Sequence, residues 1–513
     1  MNHTTTNKLR RARRLVVLGS AALCSVLLAG VAQAAVHGIS GAAGSKAFSL
    51  TAWAGTTSQP DGASIYSWGY GCTGSPKFMP DRLAGDVGPA PACPQMQTPG
   101  PTMIVTQGDT VTVTLTNNLP PAAGNTSILF PGFAVCTATL NANGTCTGAQ
   151  TGIAGILTQE AATGSGSVTY TFAAGKPGTY AYYSGTQPEL QIEMGLSGAI
   201  IVLPNTLVNI PSSCAKGPYS LANAAYDQAD SCYDREYLFQ FSELSGPIHD
   251  AVKAQVDACP NAPCPQIAVT MEPYQPNYFM INGRSMPDDM DVAYSPAYPN
   301  QPYNGNPHMH PGEKVLMRII GQGHTQHPFH FHGNHARVLA RDANLLLSQS
   351  DATKLAGPLL FTTPTVSGQT QDQIFTWTGQ GLNWDVYGRS PHTCNGKALP
   401  AKLGDPSAQS AGFDSVTHEY CGDHGKPIPI TPPDPTIVVN GQWYAGTPYL
   451  GLQTVGTPTP EAPGTLNQNP QGGYAYMWHS HNEREITTSD VFPGGMMMML
   501  LIDPFSLIID ETK

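Results

Sequence analysis

Apolar and polar residues alternate over short runs along this 513-residue chain. In Thr110-Val-Thr-Val-Thr-Leu-Thr-Asn117, Val111, Val113 and Leu115 share one face and the threonines take the other. Ser167-Val-Thr-Tyr-Thr-Phe172 repeats the pattern, and Ala47-Phe-Ser-Leu-Thr-Ala52 opens it. A period of two is that of a strand with one buried face. Gly198-Ala-Ile-Ile-Val-Leu203 and Val315-Leu-Met-Arg-Ile-Ile320 add unbroken apolar runs. Turn residues separate the runs, with 54 Gly and 46 Pro in the chain, and helical periodicity is scarce. The pattern predicts an all-β protein built from sandwiches.

The runs fall into two blocks. The first spans residues 35–204. The second opens at Glu236-Tyr-Leu-Phe-Gln-Phe241 and runs through Tyr278-Phe-Met-Ile-Asn-Gly283, Gln373-Ile-Phe-Thr-Trp377 and the stretch Tyr474 to Ile502. Residues 205–234 read as a stapled linker. The second domain, 235–513, carries an insertion at about 382–435, rich in Pro, Gly, Asp and His. Gly108-Asp109 and Gly312-Glu313 each place a turn before an apolar strand, a weak sign of duplication.

Composition adds a compartment. Lys8, Arg10, Arg11, Arg13 and Arg14 precede an apolar run from Leu15 to Val31, and Ala32-Gln33-Ala34 fits a cleavage site. Residues 1–34 therefore read as an export signal, which sends the protein to a periplasm or out of the cell. No other long apolar span follows, so no membrane span is expected in the mature chain. Of 11 Cys, Cys24 leaves with the signal; the rest form close couples, Cys72/Cys93, Cys136/Cys146, Cys214/Cys232, Cys259/Cys264 and Cys394/Cys421. Local disulfides suit that compartment, although spacing does not fix connectivity. The net charge is −11, and removing the signal makes the chain more acidic still. That argues against nucleic acid as a partner.

The chemistry concentrates in histidine. His327-Pro-Phe-His-Phe-His332-Gly-Asn-His335 follows the apolar run ending at Ile320. In a strand, His330 and His332 point to one side. Pro328 favours an edge or bulge and frees His327 to face elsewhere. Trp478-His479-Ser480-His481 supplies a second such pair downstream. Two pairs from neighbouring strands can place four imidazoles round one metal ion, and imidazole suits copper, zinc, iron and nickel.

Together these residues resemble the multicopper oxidase family. Pro99-Gly-Pro-Thr, Gln107-Gly-Asp-Thr-Val111 and Asn117-Asn-Leu-Pro120 resemble its first cupredoxin domain, and His327-Pro-Phe-His-Phe-His-Gly333 matches its third copper motif. Thr186 to Val202 and Phe492-Pro-Gly-Gly-Met-Met497 look like domain ends. The similarity spans most of residues 45–504. It implies two cupredoxin-like Greek-key domains, copper as cofactor, a small-molecule substrate and, as in two-domain members, a homotrimer. It also implies that His330 is a type 2 ligand, that His332, His479 and His481 are type 3 ligands, and that His327 holds the type 1 position. The departures are as specific. The first motif reads Leu129-Phe-Pro-Gly132; the second has Tyr183 and Gly185; the fourth has Ser480 for the thiolate, Glu485 for the last histidine and Asp490 at the axial place. A blue copper centre needs the thiolate, so an ordinary laccase is not expected.

Other candidates read as structure. His308-Met-His310 reads as a loop lead-in, His392, His418 and His424 as loop residues of the insertion, and Met496 to Met499 as packing. Tyr180, Tyr182 and Tyr183 are expected to line the emptied cluster. The metal ligands expected are His330, His332, His479 and His481, with His327 beside them, holding a reduced number of copper ions. Three roles stay open: an exported copper-binding protein, a copper-dependent oxidoreductase acting on a small substrate, and a metal-free scaffold or interaction protein.

Overall fold

The alternating runs form strands where they are expected. The computed structural model describes residues 36–41, 45–81, 91–137, 158–214, 221–383, 404–426 and 473–505, with shorter pieces at 139–140, 146–147, 385, 392–398, 400, 442–444 and 507–510. The segment read as an export signal lies outside these residues. The principal strands of the first half are β1 (Ala47–Ser58), β2 (Ser64–Cys72), β3 (Met103–Thr106), β4 (Thr110–Asn117), β5 (Ser167–Ala173), β6 (Gly178–Tyr183) and β7 (Ser197–Leu203). One sheet runs β2-β1-β4-β5. The other runs β6-β7-β3 and is completed by the short strands Gly38–Ser40 and Lys77–Met79. Val111, Val113, Leu115, Tyr170 and Phe172 from the first meet Met103, Val105, Tyr182, Ile200 and Val202 from the second in one core.

The second half supplies β8 (Arg235–Leu244), β9 (Tyr278–Ile281), β10 (Lys314–Gly321), β11 (His327–Phe331), β12 (Ala336–Arg341), β13 (Thr362–Thr365), β14 (Thr370–Thr376), β15 (Gly473–Ser480) and β16 (Met497–Ile502). One sheet has the order β9-β8-β10-β14-β12, the other β16-β15-β11-β13, each extended by short strands. Phe239, Phe241, Met317 and Phe375 of one sheet face Phe329, Phe331, Trp478 and Met498 of the other. The chain is thus all-β in two cupredoxin-like sandwiches.

The outer faces of the two sandwiches meet through Ile104, Ala181, Ala199 and Ile201 on one side and Leu238 and Ile320 on the other. A buried polar set joins them. Arg318 Nε donates to Glu236 at 2.8 Å, and Thr179 Oγ1 donates to Asp372 at 2.6 Å. The connection 205–234 is anchored here, Tyr226 donating to Asp372. Four Cys couples are disulfides: Cys72–Cys93, Cys214–Cys232, Cys259–Cys264 and Cys394–Cys421. Cys136 is also disulfide-bonded; the side chain of Cys146 lies outside the described residues.

Two features depart from the sequence reading. Helix α1 (Gly246–Ala258) follows β8, and its Ile248 and Val252 enter the first sandwich's core. Pro247 at its first turn and the spacing of four between those residues support a helix. Pro328 is neither at an edge nor in a bulge. It lies one strand inside the sheet, opposite Pro364 of β13. Neither proline has an N–H to leave unpaired, which removes the usual objection to an internal proline.

Phe329→Ala should destabilise the protein by about 3–5 kcal/mol, because a buried ring is lost from the core. His330→Ala, on the opposite face, should cost under about 1 kcal/mol. Denaturant unfolding of both variants checks this, and equal losses would refute the assignment of faces.

Candidate metal centre

The odd residues of β11, His327, Phe329 and Phe331, point into the sandwich; His330 and the following His332 point out. The neighbouring strand does the same with Trp478 inside and His479 outside. Antiparallel register sets His330 directly opposite His479 and Phe331 opposite Trp478. Gly333 closes the strand at φ +100°, where a Cβ would come within 3.3 Å of the Tyr476 ring. Its missing side chain lets the chain turn there.

The result is a group of imidazoles on one surface. One ligand nitrogen from each of His330, His332 and His479 lies within 4.8 Å of the others. Nε2 of His479 and Nε2 of His332 are 3.3 Å apart. Metal–imidazole bonds are about 2.0–2.1 Å, so these two nitrogens can share one ion without rearrangement, and His330 needs only a small approach. Nδ1 of His330 pairs with Thr362 Oγ1 at 2.7 Å, an outer partner of the kind that orients metal ligands. The His481 ring lies 4.8 Å from that of His330, with 53% of its side chain exposed. It forms the rim. Burial and the adjacent imidazoles hold His330 down to about 4, and burial lowers His479. Both stay neutral near pH 7, the form that binds metal.

His327 sits outside this group. Parity alone sends it inward, with no break in the alternation. Its Nε2 meets Glu243 Oε2 at 2.9 Å, and its Nδ1 makes an ion pair with Glu485 Oε2, also at 2.9 Å. Ser480 Oγ donates to the same Glu485 oxygen, and Asn482 donates to its other oxygen at 2.8 Å. Glu243 accepts the backbone N–H groups of His324 and Thr325 at 2.7 and 2.8 Å. Burial alone would lower the pKa of His327, but the bonds and charges of Glu243 and Glu485 raise it to about 9. Glu243 titrates below its usual range, since His327 outweighs its burial. Carboxylate oxygens 2.9 Å from each nitrogen favour the protonated ring over a metal-ligating one.

Ser480 and Glu485 were legible as departures from a motif, whereas Glu243 was missed. A signal existed: Glu243 continues the inward face of Phe239 and Phe241, where a charge needs a partner.

The His308–His310 pair, the methionines and the tyrosines take structural places. His308 pairs with Asp503 at 2.7 Å, and His310 lies between Glu313 and the Leu507 carbonyl. Met496 and Met498 are core residues. Tyr182 is buried and donates to the Pro101 carbonyl, while Tyr180 packs against Phe133 with ring centres 4.4 Å apart and planes tilted by 40°. Leu129 bridges Tyr183, and Gly185 is packed against Leu129. The places of the first two motifs are therefore filled by apolar contact.

Fold and imidazole group together define a cupredoxin-like protein with a candidate metal centre. Residues 95–206 and 270–369 each match a family model described as Multicopper oxidase. The two matched segments, one in each sandwich, are similar to multicopper oxidases, and copper binding is what that likeness implies. Among solved structures, the multicopper oxidase mgLAC is similar at 15% identity and a TM-score of 0.45, over 91% of this chain and 88% of its own. The blue copper oxidase from Nitrosomonas europaea gives 14% and 0.45 over 88% and 85%. A copper nitrite reductase from the same organism gives 17% and 0.38 over 64% and 84%. No curated protein matches the chain. No helix among the described residues is long and apolar enough to cross a membrane.

A raised histidine pKa stabilises the fold fully below the unfolded value of 6.5 and loses that contribution as pH rises through about 9. Wild-type protein should lose about 3 kcal/mol across this interval. His327→Gln should start less stable by roughly the same amount and show a flat profile there. Unfolding free energy against pH checks both, and parallel profiles would refute the imidazolium.

Proposed function

We propose that this is an exported copper-binding protein of two cupredoxin-like domains, residues 35–204 and 235–513, that keeps one reduced histidine centre. His330, His332 and His479 hold the ion, with His481 at the rim. The observation that carries the reading is the convergence of three imidazoles on one sheet face. The donor set fits copper there. It does not fit at the type 1 position, where a doubly paired imidazolium and Ser480 stand in place of a thiolate and free imidazole. Copper held by imidazole supplies one-electron redox chemistry. The chain's own contribution is to hold two rings rigidly, to orient His330 through Thr362, and to leave His481 facing solvent.

One observation favours a second reading, a copper-dependent oxidoreductase acting on a small substrate. The half-buried His330 ring lies 5.7 Å from the exposed Phe361 ring, and the His335 ring lies 5.1 Å from it. This gives a small molecule an aromatic surface beside the ion.

Copper titration of the purified full chain, followed by competition with a chelator of known strength, tests the binding reading. Wild type should bind copper without the intense blue absorption of a thiolate centre. His332→Ala and His479→Ala should each weaken binding by on the order of 100-fold, and the double change should be strongly non-additive. Unchanged affinity in both single variants would leave the metal-free scaffold. An oxidase assay on the copper-loaded protein separates carrier from enzyme. Sedimentation of the same sample should show three copies per particle if the two-domain assembly holds.

A further inference from the structure

The insertion after β14 holds a second cluster of metal-ligating side chains. One ligand atom from each of Asp385, His392 and His424 lies within 4.8 Å of the others. The rings of His392 and His424 are 4.7 Å apart, edge to face. Asp385 Oδ2 lies 3.4 Å from Nδ1 of His424 and accepts the Gly425 N–H at 2.7 Å. Glu419 Oε1 stands 3.2 Å from Nε2 of His392.

The covalent arrangement brings these residues together. Cys394, two residues after His392, is bonded to Cys421, which lies between Glu419 and His424. Lys426 ties the last turn to the first segment through Asn383 and Asp423, at 2.9 and 2.8 Å. Four residues from three segments are thereby pinned round one point.

Their burial is unusual for a loop. Asp385, Glu419 and His424 are 3%, 5% and 1% exposed. Neither nitrogen of His424 makes a hydrogen bond, and Oε2 of Glu419 makes none. Buried polar atoms are nearly always hydrogen-bonded, and each exception needs an explanation. A buried imidazole with neither nitrogen hydrogen-bonded is costly, and a divalent cation would give one of those nitrogens a partner.

We propose that Asp385, His392 and His424 bind a divalent cation of the zinc class, with Glu419 as the outer carboxylate that orients His392. Two imidazoles and a carboxylate are a borderline donor set, suited to zinc rather than to calcium or magnesium. Both nearby cysteines are committed to the disulfide, so thiolate ligation is absent. The site is enclosed and stapled, and its role is to fix the insertion against the second sandwich.

The test is a calorimetric titration of the chelator-stripped full chain with Zn2+ alone, with elemental analysis of the gel-filtered product. Three variants are compared: Asp385→Asn, His392→Ala, and the double change His332→Ala, His479→Ala. Wild type and the double variant should both hold a zinc equivalent that the Asp385 and His392 variants lose, with affinity falling on the order of 100-fold or more. Zinc should raise the melting temperature of the first two only. If Asp385→Asn fails to fold, His392→Ala, less deeply set in the cluster, decides the matter alone. Zinc binding to His392→Ala with wild-type stoichiometry and affinity would overturn the proposal. So would wild-type zinc that disappears entirely in the His332, His479 double variant.

Discussion

The backbone of β11 alternates its side chains between two environments, and each carries a different chemistry. Inward positions hold His327, Phe329 and Phe331; the outward side holds His330 and, one step beyond the strand, His332. A one-residue slip would drive the rings into solvent and the imidazoles into the core. The aromatic core therefore fixes the register, and the register places His330 opposite His479. The imidazole group is a consequence of packing on the far side of the same strand. Phe329 touches Phe239, Phe241 and Trp478 with ring centres 4.8–6.1 Å apart, so the strand is held from three sides.

At one end of that core the inward face turns from aromatic to ionic. Glu243, His327 and Glu485 bring one positive and two negative charges into a place with almost no solvent. Removing ions from water is expensive, and mutual attraction offsets it only when the remaining lone pairs are satisfied. They are: two backbone N–H groups bond Glu243, and Ser480 and Asn482 bond Glu485. Ser480 and Glu485 fill this place with a hydrogen bond to one another and a carboxylate beside His327.

Much of this was legible in the sequence. The period of two gave the strands, the two blocks gave the sandwiches, and the His-x-His pairs gave outward-facing rings, because strand alternation is a local rule. Helix α1 was not legible, since its apolar stripe is short and belongs to the other sandwich's core. Glu243 was hidden for a related reason: its partner lies 84 residues downstream, and only tertiary pairing explains a charge on an apolar face. His392 and His424 read as loop residues because no strand period relates them. A disulfide and three short loops bring them together, and none of those leaves a periodic trace.

The two imidazole clusters differ in their exposure. Structural metal sites are closed, whereas reactive ones keep an open position. In the first cluster, exposure rises from the buried His332 and His479, through the half-buried His330, to the exposed His481. An ion there would meet solvent on the side of Phe361. In the insertion Asp385, Glu419 and His424 are buried and His392 is partly buried, and the Cys394–Cys421 disulfide links their segments. Preorganisation comes from the sheet in one case and from a covalent staple in the other.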